Sequence, residues 1–342
     1  MSLGVAMAFG ATPVPHIARW AQECERAGAK SVWLGEAWRE LAVPLAASAQ
    51  ATQHAQIGAG VMQIYPAHPV LAALQAVQLQ ELSNDRFELG VGLGAGFVVE
   101  RWFGVSYERP LIRAKEFIEV VRGAMASRHG EPFSYEGEIF RTHRYRMPFG
   151  AKTAEVPILL AAVGPKMLEL AGVVADGVVL GALHSPEYLA EVRRRLARGA
   201  ERAGRDPARL AVHAFVICAA DADAEHARTL ARASLAYSAQ YPHYRRRLKD
   251  EGFGELGDRI AERVRAHDQA GALGLIDDAM VDRFAVAGTP AECRDRLGHV
   301  TAEIDEVKLT LVPFRIDETE TAARIRNALA AASELSATVS RE

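Results

Sequence analysis

The sequence predicts a single α/β domain, a (β/α)8 TIM barrel with inserted segments. Eight short apolar runs alternate with segments of helical periodicity along the 342 residues. The runs are hydrophobic almost throughout, which is typical of parallel strands buried on both faces. A closed barrel explains this pattern better than the alternative, a doubly wound sheet with an added domain, because every strand of a barrel is buried in this way.

Each predicted strand is bounded by turn residues or by a helix. In chain order the strands are LGVAMAF, KSVWLGEAW, IGAGVMQIYP, RFELGVGLG, VPILLAAVG, ADGVVLGAL, LAVHAFVICAA and EVKLTLVPF. The first helix places Ile17, Trp20 and Cys24 on one face and ends at Gly28. Further helices are predicted at about 43–53, in HPVLAALQAVQLQELS, around Phe117 and in PKMLELAG. The single domain 1–342 is predicted to carry a hairpin insertion around 130–150 and a helical insertion around 221–285.

Composition excludes several classes of function. The formal net charge is -3, so the chain lacks the basic character of nucleic-acid-binding proteins. Cys24, Cys218 and Cys293 lie far apart without a C-x-x-C pair, which argues against a zinc site or a disulfide framework and fits a reducing cytosol. Glu169 and Asp176 interrupt the most apolar window well below the about 20 residues of a membrane span. We therefore expect a soluble, cytoplasmic protein without a nucleic-acid or membrane partner.

The stretch RFELGVGLGAGF resembles a dinucleotide-binding fingerprint, since Gly90, Gly92 and Ala95 satisfy G-x-G-x-x-G/A. A dinucleotide fold carries this motif after its first strand, whereas here it follows the fourth. The following FVVERWFGVSYERP shows no immediate helix start. The sequence therefore predicts that these glycines do not form a Rossmann site.

Chemistry in such barrels is built at the carboxyl-terminal ends of the strands. Here those ends are rich in glycine and aromatic residues and poor in nucleophiles, paired carboxylates and clusters of metal ligands. This composition suits a flat cofactor that carries its own chemistry. In AAVGPKM, Gly164 and Pro165 indicate a helix start whose free N–H groups can bind a phosphate. An ordinary strand-to-helix turn is the alternative.

Several ordered motifs carry a family resemblance, from about Leu3 to Phe314. They are GAGVMQIYPAHP, LQELSNDRFELGVGLGAG, RPLIRAKEFIEVVRG, GPKMLELAGVVADGVVLG and DRFAVAGTPAECRDRL. The chain resembles the bacterial luciferase-like flavin-dependent oxidoreductases, and within them the branch that uses the deazaflavin coenzyme F420, including methylenetetrahydromethanopterin reductases. The resemblance implies an enzyme that binds a flavin or deazaflavin across the carboxyl-terminal mouth of the barrel.

The resemblance also implies cofactor-binding positions. It places a non-prolyl cis peptide that backs the middle ring at Gly60 and Val61, and an acidic residue, Glu36, at the end of strand two. The histidine that often follows this acid is replaced by Ala37. The implied ring-contacting and phosphate-binding positions are Gly92, Gly94, Ala162, Val163 and Gly164.

Candidate catalytic residues are Glu36 and His184. Glu36 is predicted to transfer a proton or to hold the cofactor ring, with a structural carboxylate as the alternative. Ala95 and His184 replace the acid and the lysine of family members that oxidise glucose 6-phosphate, which argues against that reaction. Four further residues near the predicted mouth are candidate substrate contacts, each with a structural role as the alternative: Trp38, Tyr65, His68 and Trp102.

Three functions remain open from the sequence. The first is an F420-dependent reductase that transfers hydride between the deazaflavin and a small organic substrate. The second is an FMN-dependent monooxygenase that takes reduced flavin from a partner reductase and uses oxygen. The third is a non-catalytic flavin-binding member of the family. The resemblance further implies a homodimer formed through helices early in the chain, and no metal site is expected.

Overall fold

Eight parallel strands close into a barrel in the computed structural model, which describes residues 2–299, 303–312 and 317–339. The strands are β1 (Ser2–Met7), β2 (Ser31–Leu34), β3 (Gln56–Ala59), β4 (Met62–Gln63), β5 (Phe87–Gly92), β6 (Phe133–Glu136), β7 (Arg141–Tyr145), β8 (Ile158–Ala161), β9 (Gly177–Leu180), β10 (Ala211–Ala220), β11 (Ala285–Gly288) and β12 (Glu306–Thr310). The barrel order is β1-β2-β3-β5-β8-β9-β10-β12, and β12 pairs with β1 to close it. The predicted TIM barrel is confirmed. The last two residues of the final predicted strand, Pro313 and Phe314, lie outside the described residues.

Four short strands lie outside the barrel order. β4 pairs with β5 and continues β3 after a two-residue interruption, so the third predicted strand is split. β6 and β7 form an antiparallel hairpin. β11 pairs in parallel with the last residues of β10 and is not predicted from the sequence.

Helices surround the barrel. They are α1 (Val14–Arg26), α2 (Ala42–Ala51), α3 (Pro69–Leu82), α4 (Gly96–Trp102), α5 (Pro110–Ala126), α6 (Pro165–Val174), α7 (Pro186–Arg202), α8 (Ala224–Ala239), α9 (Pro242–Asp250), α10 (Gly254–Arg265), α11 (Gln269–Gly274), α12 (Asp278–Phe284), α13 (Pro290–His299) and α14 (Glu318–Val339), with 3₁₀ turns at Ser127–His129 and Pro207–Arg209. Five of them, α8 to α12, lie between β10 and β11. Within the described ranges, no helix combines the length and the apolar character that crossing a membrane requires.

The short helix α4 corrects one prediction. It begins at Gly96, directly after the glycine-rich turn where the sequence predicts no immediate helix start. Its N-cap residue is Ala95, whose side chain makes no capping hydrogen bond. The usual Ser, Thr, Asp or Asn start signal is therefore missing. The conclusion about the Rossmann motif still holds, because the preceding strand is the fourth of a closed barrel.

The centre of the barrel is filled by Trp33 of β2, which is fully buried. A Cβ atom at Gly58 or Gly90 would collide with the Trp33 indole or with neighbouring backbone, so these strands need glycine to accommodate the ring. Around the barrel, α1 buries Ile17, Trp20, Ala21 and Cys24, the face that its periodicity predicts. The packed interior supports the carboxyl-terminal ends of the barrel strands, here called the barrel mouth.

Candidate active site

Glu36 lies at the barrel mouth, directly after β2. Its side chain is partly buried, and its Oε2 accepts a hydrogen bond from the backbone N–H of Gln63. Gln63 also donates through its side chain, from Nε2 to the backbone carbonyl of Glu36 over 3.1 Å. Burial raises the pKa of Glu36 to about 7, although the Gln63 N–H opposes the shift and the nearby Glu40 adds to it. Near neutral pH this carboxyl group can therefore exist in both the acid and the base form.

The glycines of the mouth form a tight cradle beside Glu36. The peptide between Gly60 and Val61 is cis, at the positions that the resemblance implies. A Cβ atom at Gly92 would lie 2.6 Å from Val61 Cγ2. Gly94 has a φ of +73°, and a Cβ atom there would collide with the side-chain amide of Gln63. The cradle accepts no side chain at these two glycines, which leaves backbone exposed to a flat ligand.

Gln63 provides an unused acceptor in this cradle. Its Oε1 is buried and has no hydrogen-bond partner. An unpaired buried carbonyl costs about 1–3 kcal/mol, so a bound group that donates a hydrogen bond here gains that energy. The cradle and its free acceptor fit a flat heterocycle that carries an N–H group. The rings of deazaflavins and flavins are heterocycles of this kind.

The opposite side of the mouth offers an anion site after β8. Gly164 is the N-cap of α6 and Pro165 its first residue, and no side chain caps the helix. A Cβ atom at Gly164 would meet nothing within 4 Å, so space is open in front of the helix start. The Tyr188 hydroxyl donates to the Val163 carbonyl over 2.8 Å and orients this turn. The Ala162 N–H donates to the Val179 carbonyl over 3.3 Å, so of the residues predicted for the phosphate only Val163 and Gly164 can offer their N–H groups to an anion.

His184 lies after β9, between the cradle and the helical segment α8 to α12. Its Nε2 is 3.2 Å from the carbonyl oxygen of Phe215, and burial lowers its pKa to about 4. The imidazole is therefore neutral at pH 7. Close by, the Tyr244 hydroxyl of α9 lies so near to Gly181 that a Cβ atom there would overlap it.

The predicted substrate contacts divide into exposed and packed residues. Trp38 is 48% exposed and lies beside Gly10, and Trp102 at the end of α4 is 56% exposed. Tyr65 is buried, stacks on Tyr107 at 4.7 Å and donates its hydroxyl to the Glu108 carbonyl.

His68 has a structural contact of its own. Its Nδ1 accepts a hydrogen bond from the Val70 N–H at the start of α3, and its ring meets Phe140 edge-on. Trp38 and Trp102 are thus available to a ligand, whereas Tyr65 and His68 are already engaged by the protein.

Sequence analysis missed three residues of the site. Gln63 lies inside a motif quoted for the resemblance, but nothing local shows that it pairs with Glu36, 27 positions earlier. Tyr188 and Tyr244 come from the helices α7 and α9, where aromatic residues usually signal packing. Tyr188 also supports the guanidinium of Arg247, which lies 3.7 Å from its ring centre.

Comparisons with known proteins identify the family. Residues 2–304 match the family model described as luciferase-like monooxygenase. The chain is 33% identical to the 5,10-methylenetetrahydromethanopterin reductase of Methanolobus tindarius over 296 residues, covering 84% of this chain and 87% of that protein. It is 28% identical to the enzyme of the same name from Archaeoglobus fulgidus over 306 residues, covering 86% of this chain and 90% of that protein.

The fold is shared with a solved structure. The coenzyme F420-dependent tetrahydromethanopterin reductase of Methanopyrus kandleri superposes with a TM-score of 0.81 at 22% identity, covering 96% of this chain and 98% of that chain. The family and enzyme class predicted from the motifs are confirmed. The chain belongs to the luciferase-like monooxygenase family.

Proposed function

We propose that this protein is a coenzyme F420-dependent reductase that passes hydride from the reduced deazaflavin to a small organic acceptor. The observation that carries the proposal is the partly buried Glu36 carboxyl at the barrel mouth, whose pKa of about 7 suits it to proton transfer at neutral pH. The two reductases from Methanolobus tindarius and Archaeoglobus fulgidus support the choice of reaction class.

The cofactor is assigned to residues of the mouth. Gly60, Val61, Gly92 and Gly94 would hold the ring, with the Gln63 Oε1 as a hydrogen-bond acceptor. The backbone N–H groups of Val163 and Gly164 at the start of α6 would hold the phosphate, with Ala162 anchoring the turn through its bond to the Val179 carbonyl. When bound, the deazaflavin supplies the hydride.

Glu36 supplies the proton that the acceptor needs. Hydride addition to an enone, an imine or a pterin-like bond leaves a negative charge on the substrate, and a protonated carboxyl group can neutralise it. The Gln63 N–H fixes one Glu36 oxygen, which leaves the other oxygen for the substrate. A fixed donor avoids the entropic cost of orienting a free acid. His184 is assigned a neutral, supporting role beside the substrate.

Substrate contacts are assigned to the exposed indoles of Trp38 and Trp102. Exposed indole faces favour a substrate with a flat apolar portion. Tyr65 and His68 would shape this pocket from behind, through the stacking and capping contacts described above.

Equilibrium binding of the purified apoprotein to oxidised F420 and to FMN, followed by fluorescence quenching, tests the cofactor assignment. We expect F420 to bind at least about 10-fold more tightly than FMN, a difference of about 1.4 kcal/mol. A preference for FMN would favour the oxygen-using monooxygenase with a partner reductase. Binding of neither compound would contradict the cofactor site as a whole.

A homodimer is proposed for the surface formed by α2 and α3. Both helices are rich in apolar residues, and Val43 (60%), Leu71 (52%) and Leu82 (37%) are exposed on them. Helices of this kind usually have their outer face covered. Sedimentation velocity is expected to show a dimer that Leu71→Glu dissociates. A monomeric wild-type protein would contradict the proposal.

We also propose that the protein acts in the cytoplasm.

A further inference from the structure

Four titratable side chains meet inside the barrel, below the mouth. They are Glu88 of β5, His213 of β10, and Glu306 and Lys308 of β12, and all are buried. Glu306 and His213 are direct register partners on neighbouring strands. Trp33 separates this buried polar cluster from the mouth. The Lys308 ammonium lies 4.4 Å from the centre of the Trp33 ring, over its face. The cluster therefore takes no part in the proposed hydride transfer.

The hydrogen bonds of the cluster are incomplete. Glu306 Oε1 accepts from Lys308 Nζ at 2.7 Å and from the Ser31 hydroxyl, and is satisfied. The other Glu306 oxygen, Oε2, is 3.8 Å from His213 Nε2, and Glu88 Oε2 is 3.8 Å from His213 Nδ1. These separations are too long for hydrogen bonds. Glu88 Oε2 and His213 Nδ1 are both buried without a hydrogen-bond partner. The side chain of His213 is only 6% exposed, so bulk water does not supply the missing bond.

The charges of the cluster are also not balanced. With both carboxylates ionised, Glu88 and Glu306 carry two negative charges, and Lys308 offsets one of them. An uncompensated charge in a protein interior is costly, so the second carboxylate must be balanced by a proton, or by a divalent ion that also brings one hydroxide ligand, because the ion, Lys308 and the two carboxylates alone carry a net positive charge. His213 faces Glu88 with Nδ1 and Glu306 with Nε2, and imidazole nitrogen is a common metal ligand.

The donor atoms of three of these residues converge. One oxygen of Glu88, one nitrogen of His213 and one oxygen of Glu306 lie within 4.8 Å of one another. Zinc binds imidazole nitrogen and carboxylate oxygen at about 2.0–2.2 Å, so two of its ligands stand about 3.3–3.8 Å apart. Glu88 and Glu306 face different ring nitrogens of His213, so the side chains must rotate before all three donors reach one ion. One imidazole and two carboxylates are a donor set for Zn²⁺ or Mn²⁺.

We propose that Glu88, His213 and Glu306 form a binding site for one divalent transition-metal ion inside the barrel, with Lys308 as an outer partner that orients Glu306. Such an ion would tie β5 to β10 and β12 across the barrel. Its role is structural, because the site lies on the far side of Trp33 from the mouth. Sequence spacing gives no sign of it, since the three ligands come from strands far apart in the chain.

Metal titration of the chelator-treated protein tests the site. We expect one equivalent of Zn²⁺ per chain by isothermal titration calorimetry, and a rise in Tm, because an ion that binds the folded chain stabilises it. Co²⁺ should bind in the same place and give visible absorption bands of a low-symmetry site. Glu88→Gln keeps the side-chain volume, and it should lose the calorimetric site and the Co²⁺ bands.

The matched control is His143→Gln, which removes an exposed imidazole that faces Glu136 at 3.1 Å on the hairpin. This variant should bind as the wild type does. His213→Gln should weaken binding beyond the about 10–100-fold that an outer partner contributes, and Glu88→Gln decides the matter if His213→Gln does not fold. Absence of saturable binding, unchanged binding in Glu88→Gln or loss of binding in His143→Gln would each overturn the proposal.

Discussion

Glu36 and Gln63 are joined by two hydrogen bonds, and Gln63 is the donor in both. The Gln63 backbone N–H donates to the Glu36 carboxylate, and the Gln63 side-chain amide donates to the Glu36 backbone carbonyl over 3.1 Å. The pair fixes the end of β2 against the segment that follows the interruption of the third strand. It also leaves one carboxyl oxygen of Glu36 and the Oε1 of Gln63 free for ligands.

The first prediction concerns proton donation by Glu36. Its protonated fraction falls as pH rises through about 7, so the rate of acceptor reduction should decline above pH 7. Glu36→Gln should lower kcat by about 100-fold or more and abolish this pH dependence, while the F420 affinity changes little. The measurements are a pH profile of kcat and fluorescence titration of the cofactor. An unchanged profile in Glu36→Gln would show that another group gives the proton.

Thermal stability offers a second readout of the same residue. The pKa of Glu36 is higher in the folded chain than in the unfolded chain, so the folded state binds the extra proton. The stability contributed by this proton is present at acidic pH and is lost as pH rises through about 7. Glu36→Gln should therefore raise Tm at pH 8 and have little effect at pH 5. Equal shifts at both pH values would contradict the raised pKa.

The second prediction concerns the glycine cradle. Gly94→Ala combines a positive φ with a collision against the Gln63 amide, whereas Gly104→Ala has a similar φ of +65° and nothing within 4 Å of its Cβ. Both should lose about 1–2 kcal/mol of unfolding free energy from the backbone conformation. Gly94→Ala alone should also weaken F420 binding. Urea denaturation and cofactor titration separate the two effects, and equal F420 affinities in the two variants would argue against a ring at Gly94.

The third prediction concerns the anion site at α6. Gly164→Asp supplies an N-cap side chain and should keep or slightly raise Tm. Its negative charge would repel a phosphate, so the Kd for F420 should rise by about 10-fold, or 1.4 kcal/mol. Gly164→Asn provides the same cap and a similar volume without the charge and should bind nearly as the wild type does. Equal F420 affinities of the two variants would contradict the assignment of the phosphate to this turn.

The fourth prediction concerns the buried ion pair inside the barrel. Lys308→Met leaves the Glu306 carboxylate buried without its ammonium partner and should cost about 3–5 kcal/mol of unfolding free energy. Lys115→Met is the control, because it breaks an exposed helical pair with Glu119 worth about 0.3–0.5 kcal/mol. Urea denaturation of both variants measures the difference. A loss of less than 1 kcal/mol in Lys308→Met would mean that Glu306 is neutralised in another way.

The sequence by itself determined the features that depend on neighbouring residues. Continuous apolar runs predicted the eight barrel strands and their order, because burial on both faces demands hydrophobic side chains throughout a strand. Gly164 followed by Pro165 predicted the start of α6. The motif order predicted the family. By contrast, the start of α4 and the strand β11 were not predicted. α4 begins without a capping side chain, and β11 has four residues with small side chains.

Only the tertiary structure decided which distant side chains meet. The pairing of Glu36 with Gln63 follows from the parallel register of β2 and the third strand, and the meeting of Glu88, His213 and Glu306 follows from closure of the barrel. Closure sets these contacts because it brings strands far apart in sequence to one interior, where each side chain's direction depends on the shared register. The pKa of Glu36 was decided in the same way, since desolvation is a property of the assembled mouth and not of the residue.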